Sequence, residues 1–294
     1  MATTRRAVAQ LARLPRLRLV DLPQFVTLTE HERHDPRLCP QGGATWRRER
    51  RERLTASQFA AMLGFGTVSR HRASRMWRAI AERSNHCGTG DDDEGSRYGL
   101  RYERSALATY LVAVVLPRCR TARLLETGFW PISAPEGVQM GSSPDALLED
   151  VDAWHAGGVM IEAKCPFRAG APRAHCSVPI RMIPQIQGGL LATGRAECHL
   201  VSWSPSGATV FRLASDVEYQ EAMMRALVDV MRAGSEQRPL GTHEEALCAD
   251  VRRHSVQLAD AAILLAKVDA ADCLLLEPRH EMAGSRIGAA DAIE

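Results

Sequence analysis

Lysine, closely spaced cysteines and long apolar runs are scarce or absent in this sequence. Of the 37 basic residues only Lys164 and Lys267 are lysines, and the rest are arginine. No run of 18 apolar residues occurs, which excludes a membrane-spanning helix. The eight cysteines form no Cys-x-x-Cys pair, the spacing typical of zinc and iron–sulfur sites. We therefore expect reduced thiols in an intracellular protein.

The overall composition is that of an ordinary globular protein, with 45% hydrophobic and 24% charged residues in a chain of 294. The net charge of +2 is unevenly distributed, because residues 1–53 hold twelve arginines against six acids. That excess suits a phosphate-rich partner, although a solvated basic arm is an equal alternative. Residues 1–20 carry five arginines and no acid, which is typical of an organelle transit peptide or of a disordered arm.

The periodicity of apolar residues changes along the chain and predicts both helices and strands. Residues 1–44, rich in Pro and Gly, are expected to be irregular. Ser215 and Glu218 are spaced as a capping box. Predicted helices run from Thr55 to Gly64 and over 72–84, 98–115, 182–193, 216–233 and 243–268, with a polar loop at 85–96. Predicted strands cover 126–132, 137–141, 145–149 and 158–164 as a meander, then 197–203 and 208–213. This order indicates an α/β or α+β domain with a mixed sheet flanked by helices.

Three charged residues stand out on two neighbouring predicted strands. Asp145 opens one strand, and Glu162 and Lys164 lie two apart on the next, so their side chains share a face. If the strands pair as a hairpin, two carboxylates and an ammonium converge. Such carboxylates suit Mg²⁺ or Mn²⁺, and the group can hydrolyse a phosphodiester. The alternative is an ordinary ion pair between Glu162 and Lys164 on an edge strand, but charges in a buried strand are costly without a purpose.

The surrounding residues resemble a known nuclease family. Ser143-Pro144-Asp145 followed by Glu162-x-Lys164-Cys165-Pro166 resembles the PD-(D/E)XK nuclease signature, and most resembles the branch of lambda exonuclease and the YqaJ-like viral recombinases. Further segments agree in order over residues 46 to 213: Trp46, Arg50 and Thr55-Ala56-Ser57; Gly99 to Glu103; Gln185-Ile186-Gln187; and a strand ending in Trp203. The resemblance implies a single restriction-endonuclease-like domain with a central mixed sheet.

The resemblance also implies catalytic roles. Asp145 and Glu162, with the backbone carbonyl of Ala163, would be the ligands of Mg²⁺. The family pattern implies two ions, with Mn²⁺ as a substitute. Lys164 would position and activate the attacking water. Glu103 would add an acid near the metals, unless it only pairs with a neighbouring arginine. Gln185 would hydrogen-bond near the nucleophile or Lys164, unless it is an exposed glutamine at a helix start.

Arg50, Ser57 and Ser143 resemble the residues with which the family grips phosphate. Arg50 would offer a forked donor to a terminal 5′-phosphate, and Ser57 lies at a helix start that favours anions. Ser57 as an ordinary N-cap is an alternative that does not exclude this role. The long gap before Glu162 also leaves a metal role open for Asp152.

Two further features of the sequence concern the predicted helix at 182–193. Pro184 is acceptable in a first helical turn. The pair Gly188-Gly189 either weakens this helix or permits close packing.

We therefore expect a metal-dependent exonuclease that digests duplex DNA ends, 5′ to 3′ by resemblance, in recombination, repair or viral DNA processing. The alternatives are a structure-specific endonuclease on the same core and a catalytically silent DNA-end-binding protein. The resemblance implies a trimeric ring and a single-strand annealing recombinase as partner, located in the host cytoplasm or nucleus if the source is viral. The expected organisation is an arginine-rich arm at 1–44, the nuclease domain at 45–234 and a helical extension at 235–294.

Overall fold

The structure is a computed structural model. It describes residues 35–51, 53–66, 74–75, 78, 94–120, 122–134, 137–149, 158–168 and 170–276. Most of the expected arm at 1–44, nearly all of the predicted helix at 72–84, most of the loop at 85–96 and Asp152 lie outside these ranges. In the ranges given, no helix is long and apolar enough to cross a membrane. The seven cysteines among them are free thiols.

The described residues form six α-helices and eleven strands. The helices are α1 (Ala44–Arg51), α2 (Ala56–Met62), α3 (Glu94–Tyr110), α4 (Ile183–Thr193), α5 (Val217–Ser235) and α6 (Thr242–Asp260). A π-helical turn, Leu111–Val115, continues α3, and 3₁₀ turns occupy Pro36–Leu38 and Ile180–Met182. The strands are β1 (Leu54–Thr55), β2 (Arg123–Leu125), β3 (Trp130–Ser133), β4 (Gln139–Ser142), β5 (Ala146–Glu149), β6 (Val159–Lys164), β7 (Phe167–Arg168), β8 (Ala171–Pro172), β9 (Glu197–Ser204), β10 (Gly207–Ala214) and β11 (Ile263–Asp269).

The main sheet has six strands in the order β11-β10-β9-β6-β5-β2. Strands β6 and β9 run parallel, and all other neighbours in this sheet are antiparallel. The predicted hairpin is confirmed, because β5 pairs with β6 through Ala146 opposite Ile161. The predicted mixed sheet flanked by helices is likewise confirmed, and its centre is the β6–β9 pair.

The predicted four-strand meander is wrong. Strand β4 pairs with β3 and β1 in a separate three-stranded sheet, whereas β5 belongs to the main sheet. The break falls at Ser143-Pro144-Asp145, where proline cannot donate a ladder hydrogen bond. The chain therefore changes sheets immediately before Asp145.

Helices cover both faces of the main sheet. This agrees with β6, whose successive apolar side chains are buried on opposite faces. Met160 faces a core built with α2, α4, α5 and α6, whereas Ile161 faces the core under α3. The neighbouring strand β9 alternates in the same way through Leu200 and Val201. Successive side chains of a strand point to opposite faces, so each central strand contributes to two cores.

Two local predictions near the C-terminal end are corrected. The helix expected over 243–268 ends at Asp260, and β11 follows it, because Ile263–Asp269 pairs with β10. Helix α5 is capped by Asp216, whose Oδ1 accepts a hydrogen bond from the Tyr219 N–H at 2.7 Å. The Ser215 hydroxyl, predicted as the cap, instead accepts a hydrogen bond from Gln220.

Candidate active site

Asp145 is fixed at the point where the chain enters the main sheet. Its backbone N–H donates to the carbonyl of Ile161 at 3.2 Å, continuing the β5–β6 ladder by one residue. Its Oδ2 accepts a hydrogen bond from the Ala163 N–H at 2.6 Å. The Asp145 carboxylate is therefore held against β6, next to Glu162 and Lys164.

Glu162 and Lys164 share a face of β6, and Lys164 Nζ donates to Glu162 Oε1. Strand β6 has β5 on one side and β9 on the other, so the edge-strand alternative is wrong. The Glu162 side chain is only 4% exposed, and that of Lys164 is 30% exposed. The Glu162 carboxylate is therefore desolvated at a cost that a surface carboxylate does not have, whereas Lys164 keeps some contact with solvent.

Two more predicted residues reach the same place from separate helices. Gln185 Nε2, in the first turn of α4, donates to the Glu162 oxygen that already accepts from Lys164. Glu103, on α3, lies close enough to interact electrostatically with Glu162 and Lys164. The structure thus brings five predicted side chains together from the β5–β6 hairpin and two helices.

Burial and the interactions among these charged side chains shift their pKa values. Burial, together with repulsion from Glu162, raises the pKa of Glu103 to about 6, although Lys164 opposes the shift. Burial, together with repulsion from Glu162 and Glu103, raises the pKa of Asp145 well above its usual range. Burial lowers the pKa of Lys164, but attraction to the carboxylates outweighs it, so the net pKa lies above its ordinary value. When they are ionised, three carboxylates around one ammonium leave a surplus of negative charge, and the raised pKa values reflect the cost of that surplus without a cation.

This negative charge would attract a hard divalent cation, whose remaining ligands would be water and substrate phosphate. No three carboxylate, imidazole or thiol side chains among the described residues form a metal-binding cluster by themselves. Within the same residues, side-chain hydrogen bonds use Oδ2 of Asp145 and Oε1 of Glu162, which leaves the second oxygen of each for a cation. Mg²⁺ commonly binds through one or two carboxylates and completes its shell with water and substrate phosphate. The donor set therefore suits Mg²⁺ or Mn²⁺.

The predicted phosphate-gripping residues lie next to Asp145. The Ser143 hydroxyl accepts hydrogen bonds from Trp46 Nε1 at 2.9 Å and from Arg50 Nη1 at 3.1 Å. The Arg50 guanidinium stacks 4.3 Å above the Trp46 ring. Among the clustered arginines of α1 and its flank, the structure thus singles out Arg50 as the one directed at Ser143, whereas Arg53 pairs with Glu49.

Ser57 lies in the first turn of α2 and is exposed. Thr55, rather than Ser57, is the N-cap, and its backbone N–H donates to Gln58 Oε1 at 3.1 Å. The Ser57 hydroxyl lies 3.0 Å from that of Thr55. Ser57 is therefore not required for capping in this structure.

An open cavity of about 610 Å³ lies between the start of α2, α3 and the β5–β6 hairpin. Ser57, Glu103, Asp145 and Lys164 all line it. The cavity also includes residues that the sequence interpretation missed, notably His175, Arg181 and Phe167. The spacing of Arg181, one turn before Gln185, was the one local signal that could have indicated its position.

Two solved structures resemble the chain at low sequence identity. Among solved structures, that of LHK-Exo in complex with dAMP is 20% identical, covers 74% of this chain and 100% of its own, and has a TM-score of 0.45. That of SSO0001 is 12% identical, covers 62% of this chain and 76% of its own, and has a TM-score of 0.36. No curated protein matched the chain.

The profile of the YqaJ-like viral recombinase domain matches residues 45–196, more than half of the chain. The match includes every candidate residue described above, from Trp46 to Gln185. The chain therefore belongs to the YqaJ-like viral recombinase domain family.

Proposed function

We propose that the protein is a Mg²⁺-dependent deoxyribonuclease that hydrolyses phosphodiester bonds from the ends of duplex DNA. The observation that carries this proposal is the convergence of Asp145, Glu162 and Lys164 at the β5–β6 hairpin, with Gln185 bonded to Glu162. Asp145, Lys164 and Glu103 line the adjoining cavity. Membership of a viral recombinase family supports a role in recombination or repair. A catalytically silent DNA-end binder is less favoured, because burying three carboxylates is costly without a cation to neutralise them.

The protein's own groups have separate tasks in this proposal. Asp145 and Glu162, with the carbonyl of Ala163, would hold the cation, which supplies electrostatic stabilisation of the charge that develops on the phosphate. Lys164 donates hydrogen bonds and would orient the attacking water. Gln185 shares the Glu162 oxygen with Lys164, so it fixes the orientation of that carboxylate. Glu103 would contribute charge from the α3 side.

The preference for DNA ends rests on the cluster beside the cavity. The Arg50 guanidinium is a planar fork that matches two phosphate oxygens, and the Trp46 ring limits its motion. Ser143 connects this arginine to the segment that carries Asp145. We infer that this cluster binds a terminal 5′-phosphate, which gives the 5′-to-3′ polarity. The family resemblance further suggests a ring-shaped trimer acting with an annealing protein.

The decisive experiment is digestion of linear duplexes with one end blocked, in Mg²⁺, Mn²⁺ or EDTA. We expect digestion from the free 5′-phosphorylated end, and none in EDTA. Lys164→Ala should lower the rate about a hundredfold or more, because a donor at the reacting centre is lost. Lys267→Ala is the matched control, since Lys267 is the only other lysine of the chain and is exposed on β11.

The two lysine variants separate the proposal from its rivals. Equal rates for Lys164→Ala and the parent would refute the mechanism. Cutting of covalently closed circles would indicate the endonuclease alternative. DNA binding without any metal-dependent hydrolysis would indicate the silent end binder.

A further inference from the structure

Arg181 occupies a position in the wall of the catalytic cavity that no catalytic role yet explains. It lies on the 3₁₀ turn Ile180–Met182 directly before α4. The Met182 N–H donates to the carbonyl of Pro179 at 2.8 Å, and the Met182 side chain is buried. The backbone of this turn is therefore anchored, whereas the Arg181 side chain is exposed. No other arginine lines the cavity among the residues that the structure describes.

The Arg181 guanidinium is available to an anion. It shares the cavity with Glu103 and Asp145, yet within the described ranges it forms no ion pair with either carboxylate. By contrast, Arg195 at the other end of α4 is paired with Glu149. The Arg181 guanidinium therefore lines the cavity without being neutralised by these carboxylates.

The position of Arg181 in the chain indicates which anion it meets. It precedes Gln185 by four residues, about one helical turn, and Gln185 donates directly to Glu162. Arg181 therefore lies beside the catalytic group but one turn further out. A DNA strand that enters this cavity brings its phosphates next to three carboxylates. A guanidinium at this place offsets their repulsion and matches phosphate geometry.

We propose that Arg181 binds a phosphodiester of the strand being cleaved, distinct from the terminal phosphate assigned to Arg50. This inference rests on the proposed function, because it takes the cavity to be the path of the substrate strand. Binding of this kind releases condensed counterions, so it has a specific dependence on salt. Arg181 would contribute to holding the strand in the ground state rather than to the chemical step.

The test measures binding of a fluorescently labelled, 5′-phosphorylated duplex by anisotropy, in Ca²⁺ without Mg²⁺, over a series of KCl concentrations. We expect Arg181→Ala to weaken binding about tenfold at low salt. The slope of log Kd against log[KCl] should fall by about one. Arg181→Lys should keep most of the slope, because the charge remains. Arg173→Ala is the matched control, since Arg173 is equally exposed but does not line the cavity.

Digestion assays on the same preparations in Mg²⁺ separate this inference from the proposed function. Arg181→Ala should raise KM about tenfold and leave kcat within about threefold of the parent. A parental slope in Arg181→Ala, or the same loss in Arg173→Ala, overturns the Arg181 site even if the parent digests DNA. A parent that binds DNA with the expected Arg181 dependence but digests nothing supports the site and refutes the nuclease. A parent that does not bind DNA overturns both.

Discussion

Replacing Gly188 by alanine should destabilise the protein, although alanine is the better helix former. Gly188 lies inside α4, where a Cβ atom would come 2.7 Å from Cε2 of Phe59 and 3.3 Å from the Cβ of Ala56. Phe59 is completely buried, so its ring has no space to move into. Alanine would gain about 1 kcal/mol of helix propensity. Overpacking a core of this kind costs roughly 1–3 kcal/mol. We expect a net loss of up to about 2 kcal/mol, because the rigid ring forces α2 away from α4.

Gly99 provides the matched comparison, because it is also a helical glycine. A Cβ atom at Gly99 on α3 would meet no atom within 4 Å. Gly99→Ala should therefore stabilise the protein by up to about 1 kcal/mol. Gly189→Ala should fall between the two, since its nearest contact is the flexible Met160 thioether, at 2.5 Å from Sδ.

Urea unfolding followed by circular dichroism measures all three variants. The midpoint should fall for Gly188→Ala and rise for Gly99→Ala, with unchanged slopes. If Gly188→Ala were as stable as Gly99→Ala, the close packing of α2 against α4 would not hold. The sequence left open whether Gly188 weakens its helix or permits close packing, and this comparison decides between them.

Two further predictions concern the phosphate cluster and the α3 side of the sheet. Arg50→Ala should slow digestion of 5′-phosphorylated ends by about tenfold or more, with little effect on unphosphorylated ends, because a charge-assisted contact is lost. A parent that does not distinguish the two ends would contradict the assignment of Arg50. Tyr110→Phe should lower the free energy of unfolding by about 1–3 kcal/mol, because it removes the 2.6 Å contact to Nδ1 of the fully buried His199. An unchanged urea midpoint would show that His199 finds another partner.

The placement of the central catalytic group could be predicted because its signals are local. Glu162 and Lys164 share a face through the two-residue period of any strand, and the hairpin joins neighbouring segments. Arg50 was chosen as the proposed phosphate-binding arginine on its spacing to Trp46 and Ser57. The structure shows that Arg50 contacts Ser143, and its phosphate-binding role stays a prediction. The domain limits at 1–44, 45–234 and 235–294 stay predictions.

Other features depend on contacts between segments that are distant in the sequence, so local patterns could hardly predict them. Strand β11 has an apolar run compatible with either helix or strand, and pairing with β10 decides it. The change of sheet at Pro144 depends on which partner β4 and β5 each find. The position of Arg181 follows from the packing of α2, α4 and the 3₁₀ turn, and its spacing of one turn before Gln185 is the one local trace of it.

The placement of Glu103 shows how the site depends on packing elsewhere. Glu103 and Tyr110 are seven residues apart, two turns of α3, so they lie on the same side of the helix. Tyr110 contacts His199, and Thr109 accepts a hydrogen bond from the buried Trp203 Nε1 at 3.0 Å. Both contacts hold α3 against β9, which is the parallel neighbour of the catalytic strand β6. A polar contact buried in the core is stable only when its partners keep their geometry. The distance of Glu103 from the other carboxylates therefore depends in part on residues two turns away, which do not line the cavity.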